Sequence, residues 1–339
     1  MTFDDHAAAD ALDTDLWATV GRRFEGLHVL VTGGAGFIGS HLTDELVDLG
    51  ARVTVVDDCS AGNLENLESV EESITFHDID IRDRQSVKSV LDDKAFEVVF
   101  HLAANAHVPT SIERPRYDFD VNVGGTQVVL EESLEAEVDR FVFASSAAVY
   151  GPPQRVPMDE SHPLSPVSPY GAAKLGAEKL GLAYHESYNL DVTALRIFNT
   201  FGPRQSRYVM YDFLRKLEED PTSLEVLGSG EQVRTFSYVS DTVAALLALG
   251  AAEAAPGSAY NFGGDEPVRI LDLAETMAER YATGHAGETD VYTTGENKAG
   301  DIERLVSDNS RIDELGVRPT VSLVDGLDRL YEWFHAPER

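Results

Sequence analysis

Cysteine is nearly absent from this chain. Cys59 stands alone, so no disulfide can form within it and the fold needs no oxidising compartment. Long apolar runs are missing too. None could span a bilayer, and the first residues are acidic rather than basic and then apolar. We therefore expect no membrane anchor and no signal peptide, and a cytoplasmic protein. Lysine is scarce, with only Lys88, Lys94, Lys174, Lys179, Lys216 and Lys298. Positive charge is in deficit overall: 27 Lys and Arg face 59 Asp and Glu, for a net charge of −32. That deficit argues against nucleic acid as a partner, because phosphates would be repelled. The acidic excess runs along the whole chain rather than sitting in a tail. A folded protein of this kind repels itself in dilute buffer and is relieved by concentrated salt. The composition thus points to a very salty host cytoplasm, against the plainer reading of a merely acidic protein.

The 339 residues, 43% of them hydrophobic, can bury one extended domain or two. The most informative stretch is residues 28–57. A β-branched run at 28–32 leads into the turn GGAGFIG at 33–39. Ile38, Leu42, Leu46 and Leu49 then recur at helical spacing, Gly50 stops the helix, and residues 52–56 form a second strand ending at Asp57. This is half of a dinucleotide-binding unit. Gly33 and Gly36 let the backbone lie against a pyrophosphate, and Gly39 lets the helix approach the sheet. The helix N-terminus, around Phe37 and Ile38, offers N–H groups to the phosphates. A strand–helix turn without a ligand is the alternative, and the strand before, the helix after and the carboxylate beyond count against it. Asp57, with no arginine directly after it, suits the ribose hydroxyls of NAD and would repel the 2′-phosphate of NADP.

Strands and helices alternate through residues 28–145, as a Rossmann-type doubly wound parallel α/β sheet requires. A strand at 74–76 ends in Asp80 and Ile81. There Asp80 could accept from an adenine amino group while Ile81 packs on the ring. The competing reading is loop carboxylates with a helix cap at Asp83. A helix at 84–93, a strand at 98–104, a long helix at 119–135 and a strand at 140–145 follow. His101 reads as a satisfied core histidine. After a proline-rich loop at 152–169 come a helix at 169–188 and a strand at 192–197. Later helices are expected at 207–219, 239–252, 269–281 and 322–335. We divide the chain into an acidic leader at 1–26 and an NAD-binding Rossmann domain at 27–199. A smaller, mainly substrate-binding lobe spans 200–339, with segments returning to the Rossmann domain.

Ser146 closes the fifth strand, and Tyr170 and Lys174 open the next helix. At i, i+4 spacing the tyrosine and lysine share one helical face. A lysine cation there, with a nicotinamide ring, is expected to favour tyrosinate and make Tyr170 a general base near neutral pH. A tyrosine and lysine at this spacing can also be a plain surface pair. The strand-end serine and the nucleotide fold favour the catalytic reading.

Taken in order, GGAGFIG, Asp57, HLAA, SSAAVYG, SPYGAAK, LRIFNTFGPRQ, the arginine of GEQVRTFSYV and the GD of KAGDIERLVSD form a set. With that set the chain resembles the extended short-chain dehydrogenase/reductases. Within them it is similar to the NAD-dependent sugar-nucleotide epimerase/dehydratases, and above all to UDP-glucose 4-epimerases. The resemblance implies Ser146, Tyr170 and Lys174 as the catalytic set, with Lys174 also on the nicotinamide ribose. It implies Asn199 and Arg234 at the substrate diphosphate and Asp301 in the late GD motif. It further implies a homodimer paired through the helices at 119–135 and 169–188. In the implied mechanism Tyr170 removes the proton of the sugar 4-hydroxyl as NAD takes hydride from carbon 4. The 4-keto sugar turns over, NADH returns the hydride to the other face, and Tyr170 returns the proton.

Two departures shape the expectation. Family dehydratases carry an acidic pair after the catalytic serine or threonine, and here Ala147 and Ala148 stand in those places. A 4,6-dehydratase or a decarboxylase then lacks its proton-transfer groups, which leaves the 4-epimerase as first reading. A non-enzymatic NAD-binding regulator would predict a broken Ser/Tyr/Lys set, and the set is intact. Second, Lys298 stands near the place of the arginine that usually precedes the GD motif, a point charge instead of a fork. Leu305 falls at the family's size gate for N-acetyl sugars. Its small side chain leads us to expect that N-acetylated or uronic sugars fit. The charge distribution generates a first prediction. Denaturation in urea should show higher stability in molar KCl than in dilute buffer, and equal stability in both would overturn the salt-adapted reading.

Overall fold

The structure is a computed structural model that describes residues 8–93, 95–284, 287–295 and 302–336. The chain opens with α1 (Thr14–Phe24), capped by Asp13, whose carboxylate accepts from the Leu16 N–H. Next come β1 (His28–Thr32), α2 (Phe37–Asp48), β2 (Arg52–Asp57), β3 (Ile74–Asp78), α3 (Arg84–Asp93) and β4 (Val98–His101). They are followed by α4 (Val108–Glu113), α5 (Pro115–Phe119), a π-helical turn at Asp120–Gly125, α6 (Thr126–Glu135), β5 (Arg140–Ser146), α7 (Pro169–Tyr188) and β6 (Asp191–Ile197). Next are β7 (Asn199–Phe201), α8 (Val209–Glu219), β8 (Ser223–Val226), β9 (Val233–Tyr238), α9 (Val239–Ala251) and β10 (Ser258–Phe262). The described chain ends through β11 (Pro267–Arg269), α10 (Ile270–Tyr281), β12 (Asp290–Thr293), β13 (Arg304–Leu305), α11 (Ser310–Asp313) and α12 (Leu323–Phe334).

Seven strands form one sheet in the order β3-β2-β1-β4-β5-β6-β10, every neighbouring pair parallel. Its central strands are apolar along their length because both faces are covered: Val29, Leu30 and Val31 of β1 and Val98, Val99 and Phe100 of β4 are all buried. Strand order reverses between β1 and β4, so a crevice opens beyond their C-terminal ends. The later chain returns β10 to the sheet edge and also builds a smaller sheet. There β9 pairs antiparallel with β11 and parallel with β13 and β7. Helix α9 is buried on all sides and packs against α1, α2, β5 and β6. Among the described residues no helix is long and apolar enough to cross a membrane.

The structure departs from the sequence reading at the helix expected over residues 119–135. It is broken into α5, the π turn and α6. The side chain of Asn122 is engaged inside the turn, on Asn105 and Asp118, and Gly125 has no side chain to obstruct Ile81. A Cβ at Gly125 would lie 2.5 Å from Ile81 Cδ1. The fourth strand is also shorter than expected, ending at His101.

Helix α1 is docked on the core. Val20 and Phe24 are fully buried, and the Phe24 ring centroid lies 5.9 Å from that of Phe100. Gly250 of α9 admits both rings, since a Cβ there would meet Phe100 at 2.7 Å and Phe24 at 3.0 Å. Phe24→Ala should therefore lower unfolding stability by about 3–5 kcal/mol, read from denaturant titration at fixed salt. A loss below about 1 kcal/mol would mean that α1 is only loosely docked.

Candidate active site

The glycine turn forms the floor of the crevice. Gly33 has φ +76, and a Cβ there would lie 2.6 Å from the Ala103 nitrogen on the loop after β4. A Cβ at Gly39 would lie 2.1 Å from the Gly33 carbonyl oxygen. Gly36 caps α2 in extended conformation without a side-chain acceptor, which leaves the first N–H groups of α2 without helical partners. Gly33, Gly36, Phe37, Ile38 and Gly39 line a cleft of about 810 Å³. A pyrophosphate fits this backbone cradle, and methyl groups at its glycines would fill it.

Asp57 ends β2 in the same cleft, its Oδ2 accepting from the Ala35 N–H and its Oδ1 from the Cys59 N–H, each at 2.9 Å. Burial raises its pKa, and these two bonds oppose the rise. The carboxylate keeps acceptor capacity for a ribose diol. Asp80 and Ile81 line the cleft as expected positions, but Asp80 is not a free acceptor. It takes the Arg82 Nε–H at 2.9 Å and 3.0 Å, and these bonds hold its carboxyl below the usual range. Asp83 caps α3 by accepting from the Gln85 N–H at 3.1 Å. His101 is fully buried between the hydroxyls of Thr32 (2.6 Å) and Thr126 (2.9 Å), and burial holds its pKa down to about 3. It is a neutral, satisfied core residue.

At the other end of the cleft Ser146, Tyr170 and Lys174 come together. Ser168 caps α7 by accepting from the Gly171 N–H at 3.1 Å, and Pro169 begins the helix, which puts Tyr170 on its first turn. Gly171 allows α7 to rest on the turn after β5: a Cβ there would lie 2.5 Å from the Ala148 oxygen. Tyr170 thereby faces Ser146 closely enough for the serine hydroxyl to act on its phenol. Lys174 is only 3% exposed, with its ammonium 4.5 Å from the Phe143 ring centroid.

Burial drives the Tyr170 phenol pKa well above its ordinary value, the Ser146 hydroxyl opposing and nearby Tyr208 and Asp118 adding to the rise. Burial also lowers Lys174 to about 7, with Asp118 and Glu178 opposing. Desolvation is the largest influence on both groups, and the positive ring of a nicotinamide would act against it at Tyr170. Glu178, one turn beyond Lys174, accepts from Ser145 (2.7 Å) and pairs with Arg196 at 2.6 Å and 2.9 Å. Arg196 donates to the Tyr150 hydroxyl (2.8 Å), which donates to Asn261 Oδ1 (2.6 Å). This buried network joins β5, α7, β6 and β10 behind the site.

On the substrate side Asn199 and Leu305 line the cleft. Arg234, the register partner of Leu305, is not among the lining residues. Its Nη1 donates to the carbonyls of Val233 (2.9 Å) and Glu303 (3.1 Å). Lys298 and Asp301 lie outside the described residues. The cleft instead carries Arg204, Arg207 and Tyr208, which sequence reasoning did not single out although GPRQ was in view. Arg204 pairs with Asp44 of α2 at 2.6 Å, and His41, held neutral by burial, donates to the Pro203 carbonyl at 3.0 Å.

Comparison with known proteins agrees with this geometry. The pattern of the family described as GDP-mannose 4,6 dehydratase matches residues 30–330. The chain is 35% identical over 316 residues to a UDP-glucose 4-epimerase of Mycolicibacterium smegmatis, covering 91% of this chain and 98% of that one. It is 36% identical over 322 residues to a dTDP-glucose 4,6-dehydratase of an Actinoplanes species, with coverage of 91% and 98%. The crystal structure of Thermus thermophilus UDP-glucose 4-epimerase in complex with NAD superimposes with a TM-score of 0.81 at 32% identity, covering 91% of this chain and 99% of that one.

Lys174 yields a prediction about pH. Between its folded value near 7 and its unfolded value near 10.5, the unfolded chain holds a proton that the folded chain lacks. Stability from this group therefore rises with pH across that window, and the full penalty is present below it. Lys174→Met should melt higher than the unsubstituted protein at neutral pH, by on the order of a few kcal/mol, with the gap closing as pH approaches 10. A variant less stable at every pH would show that Lys174 stabilises the fold.

Proposed function

Because the chain belongs to the GDP-mannose 4,6 dehydratase-type family of NAD-dependent sugar-nucleotide epimerases and dehydratases, we propose that it is a nucleotide-sugar 4-epimerase working through a 4-keto sugar. Its cofactor is NAD. One observation carries the choice of epimerase. The turn after Ser146 holds Ala147 and Ala148, with Ala147 buried. Among the described residues lining the cleft, the carboxylates are Asp57, Asp58, Glu65 and Asp80, all on the side of the glycine turn and the loops after β2 and β3. No lining carboxyl stands beside Ser146 and Tyr170 to protonate a departing 6-hydroxyl, as 4,6-elimination needs. Similarity to a dehydratase at 36% identity keeps that reaction as the rival outcome.

In this reading Tyr170 takes the proton of the sugar 4-hydroxyl and returns it. Ser146 Oγ holds the same sugar oxygen, and its proximity to the Tyr170 phenol aligns the transfer. Lys174 binds the nicotinamide ribose, Asp57 the adenosine ribose, and the turn Gly33–Gly36–Gly39 with the N–H groups of Phe37 and Ile38 binds the pyrophosphate. Ile81 forms one wall for the adenine. Asn199 faces the substrate diphosphate. NAD, when bound, supplies a reversible hydride acceptor for carbon 4 and a positive ring charge that opposes burial at the Tyr170 phenol. Leu305 at the cleft wall supports a range reaching from UDP-glucose and UDP-galactose to UDP-GlcNAc or UDP-glucuronate. Exposed Phe119 and Tyr188, at the ends of α5 and α7, support pairing of two copies through those helices.

The test is incubation of the purified protein in molar KCl with UDP-glucose, UDP-GlcNAc and UDP-glucuronate separately, with products identified by NMR. We expect a galacto-configured product, and a fall in kcat of about 100-fold or more in Tyr170→Phe. A 4-keto-6-deoxy product would refute the argument from Ala147 and Ala148. Failure of the NAD-loaded protein to convert any of the three would overturn epimerisation of these sugars.

A further inference from the structure

We propose that Tyr208 is a positioning residue that bars the sugar end of the cleft and holds the 4-keto sugar there while it turns over. This rests on the epimerase reading above.

The first observation is conformational. Tyr208 has φ +75 and ψ 174, a backbone region that is in practice reserved for glycine. An L side chain persists there only where its surroundings over-determine it, and both flanks of Tyr208 are anchored. Upstream, His41 holds the Pro203 carbonyl, Asp44 holds Arg204, and the buried Gln205 donates to the Thr200 carbonyl at 3.1 Å. Downstream, α8 begins at once, with Met210 and Phe213 sunk in the core. Core packing does not compensate the strain at Tyr208 itself, because the residue is 52% exposed.

What the strained conformation achieves is a bridge. The Tyr208 hydroxyl donates to the Ala106 carbonyl at 2.9 Å, on the loop after β4. That loop is itself held, since Asn105 donates to Asp118 at 2.7 Å and its backbone exchanges bonds with Asn122. The phenol therefore crosses the cleft between two fixed walls. Ala106 and Tyr208 line the same cleft as Ser146 and Tyr170, so the bar spans the space that holds the reacting groups.

A 4-epimerase needs such a bar. Oxidation breaks the C–H and O–H bonds at carbon 4 and forms a C=O, with two electrons kept on the cofactor and a proton on Tyr170. The keto sugar must then be loose enough to present its other face. If it leaves instead, the enzyme is stranded with reduced cofactor.

Two variants test the proposal. Tyr208→Phe removes the donor and keeps the ring. Tyr208→Gly removes the ring and suits the backbone conformation. Calorimetry with UDP-glucose and UDP-GlcNAc reads affinity, and absorbance of reduced nicotinamide reads stranding during turnover. We expect Tyr208→Phe to weaken nucleotide-sugar binding by about three- to ten-fold, and Tyr208→Gly by more. Both should accumulate reduced cofactor with release of 4-keto sugar, and Tyr208→Gly should melt no lower than the unsubstituted protein. Unchanged affinity with no stranding in both variants would overturn the proposal. So would a Tyr208→Gly variant that melts well below the unsubstituted protein while binding the nucleotide sugars normally, since Tyr208 would then be a packing residue. If the unsubstituted protein binds these sugars and converts none, the epimerase reading fails, and the affinity ratios alone decide the role of Tyr208.

Discussion

The cleft depends on the close passage of two backbones at the point where strand order reverses. Gly33 leaves β1 and Ala103 follows β4, and even a single Cβ at Gly33 would collide with the Ala103 nitrogen. The parallel sheet forces this crossing, because both strands end on the same edge and their continuations diverge to opposite sides. The crossing puts the open N–H groups of α2 beside the loop at 103–107, and it is why one pocket reaches from Asp57 to Tyr170. The π turn at Asp120–Gly125 serves the same arrangement. It turns Asn122 onto that loop and opens room at Gly125 for Ile81.

Around this crossing the chain handles charge in two opposite ways. Its surface carries a large acidic excess that water and salt can screen. Its catalytic end buries a small number of charges that solvent cannot screen. Glu178 and Arg196 satisfy one another with two bonds and recruit Ser145 and Tyr150, so that pair holds α7 in place against the sheet. Lys174 and Asp118 are less completely matched. Burial lowers the lysine and raises the carboxyl, each partly offset by the other's charge. A lysine near neutrality beside a protonated phenol is a pair whose charge state responds to whatever binds next to it. Desolvation at both groups thus makes the site sensitive to its ligands.

The cleft is also tied together across its width. Helix α2 holds the loop after β7 through His41 and Asp44, and that loop in turn delivers Arg204, Arg207 and Tyr208 to the cleft. The helix that starts at the glycine turn and the segment that carries Arg204, Arg207 and Tyr208 are therefore joined by short polar contacts. Such coupling suits a reaction in which both ligands must hold their places through two hydride transfers.

Much of this was readable from residue order alone, wherever the determinants are local. Alternating apolar residues and glycine stops marked β1, α2, β2, α7 and α9 almost to their ends, because helical and strand periodicity is set by neighbours within a turn or two. The places of the glycine turn, Asp57, Ser146, Tyr170 and Lys174 were legible for the same reason: each sits at a strand end or in the first two turns of a helix, and such positions follow from adjacent residues. The tertiary structure alone decided the rest. The π turn exists because Ile81 and Asn105, distant in sequence, press on it. Arg234 turns toward the carbonyls of Val233 and Glu303 because β9 pairs with β13 there. Asp80 is engaged by Arg82, and burial raises the Tyr170 phenol pKa, through contacts and solvent exclusion that no spacing rule encodes. Tyr208 fell inside the helix expected over residues 207–219, which in the structure begins only at Val209. Only the anchoring of both its flanks forces it into a glycine conformation and across the cleft, since backbone strain is a property of closure in three dimensions and leaves no mark in the order of residues.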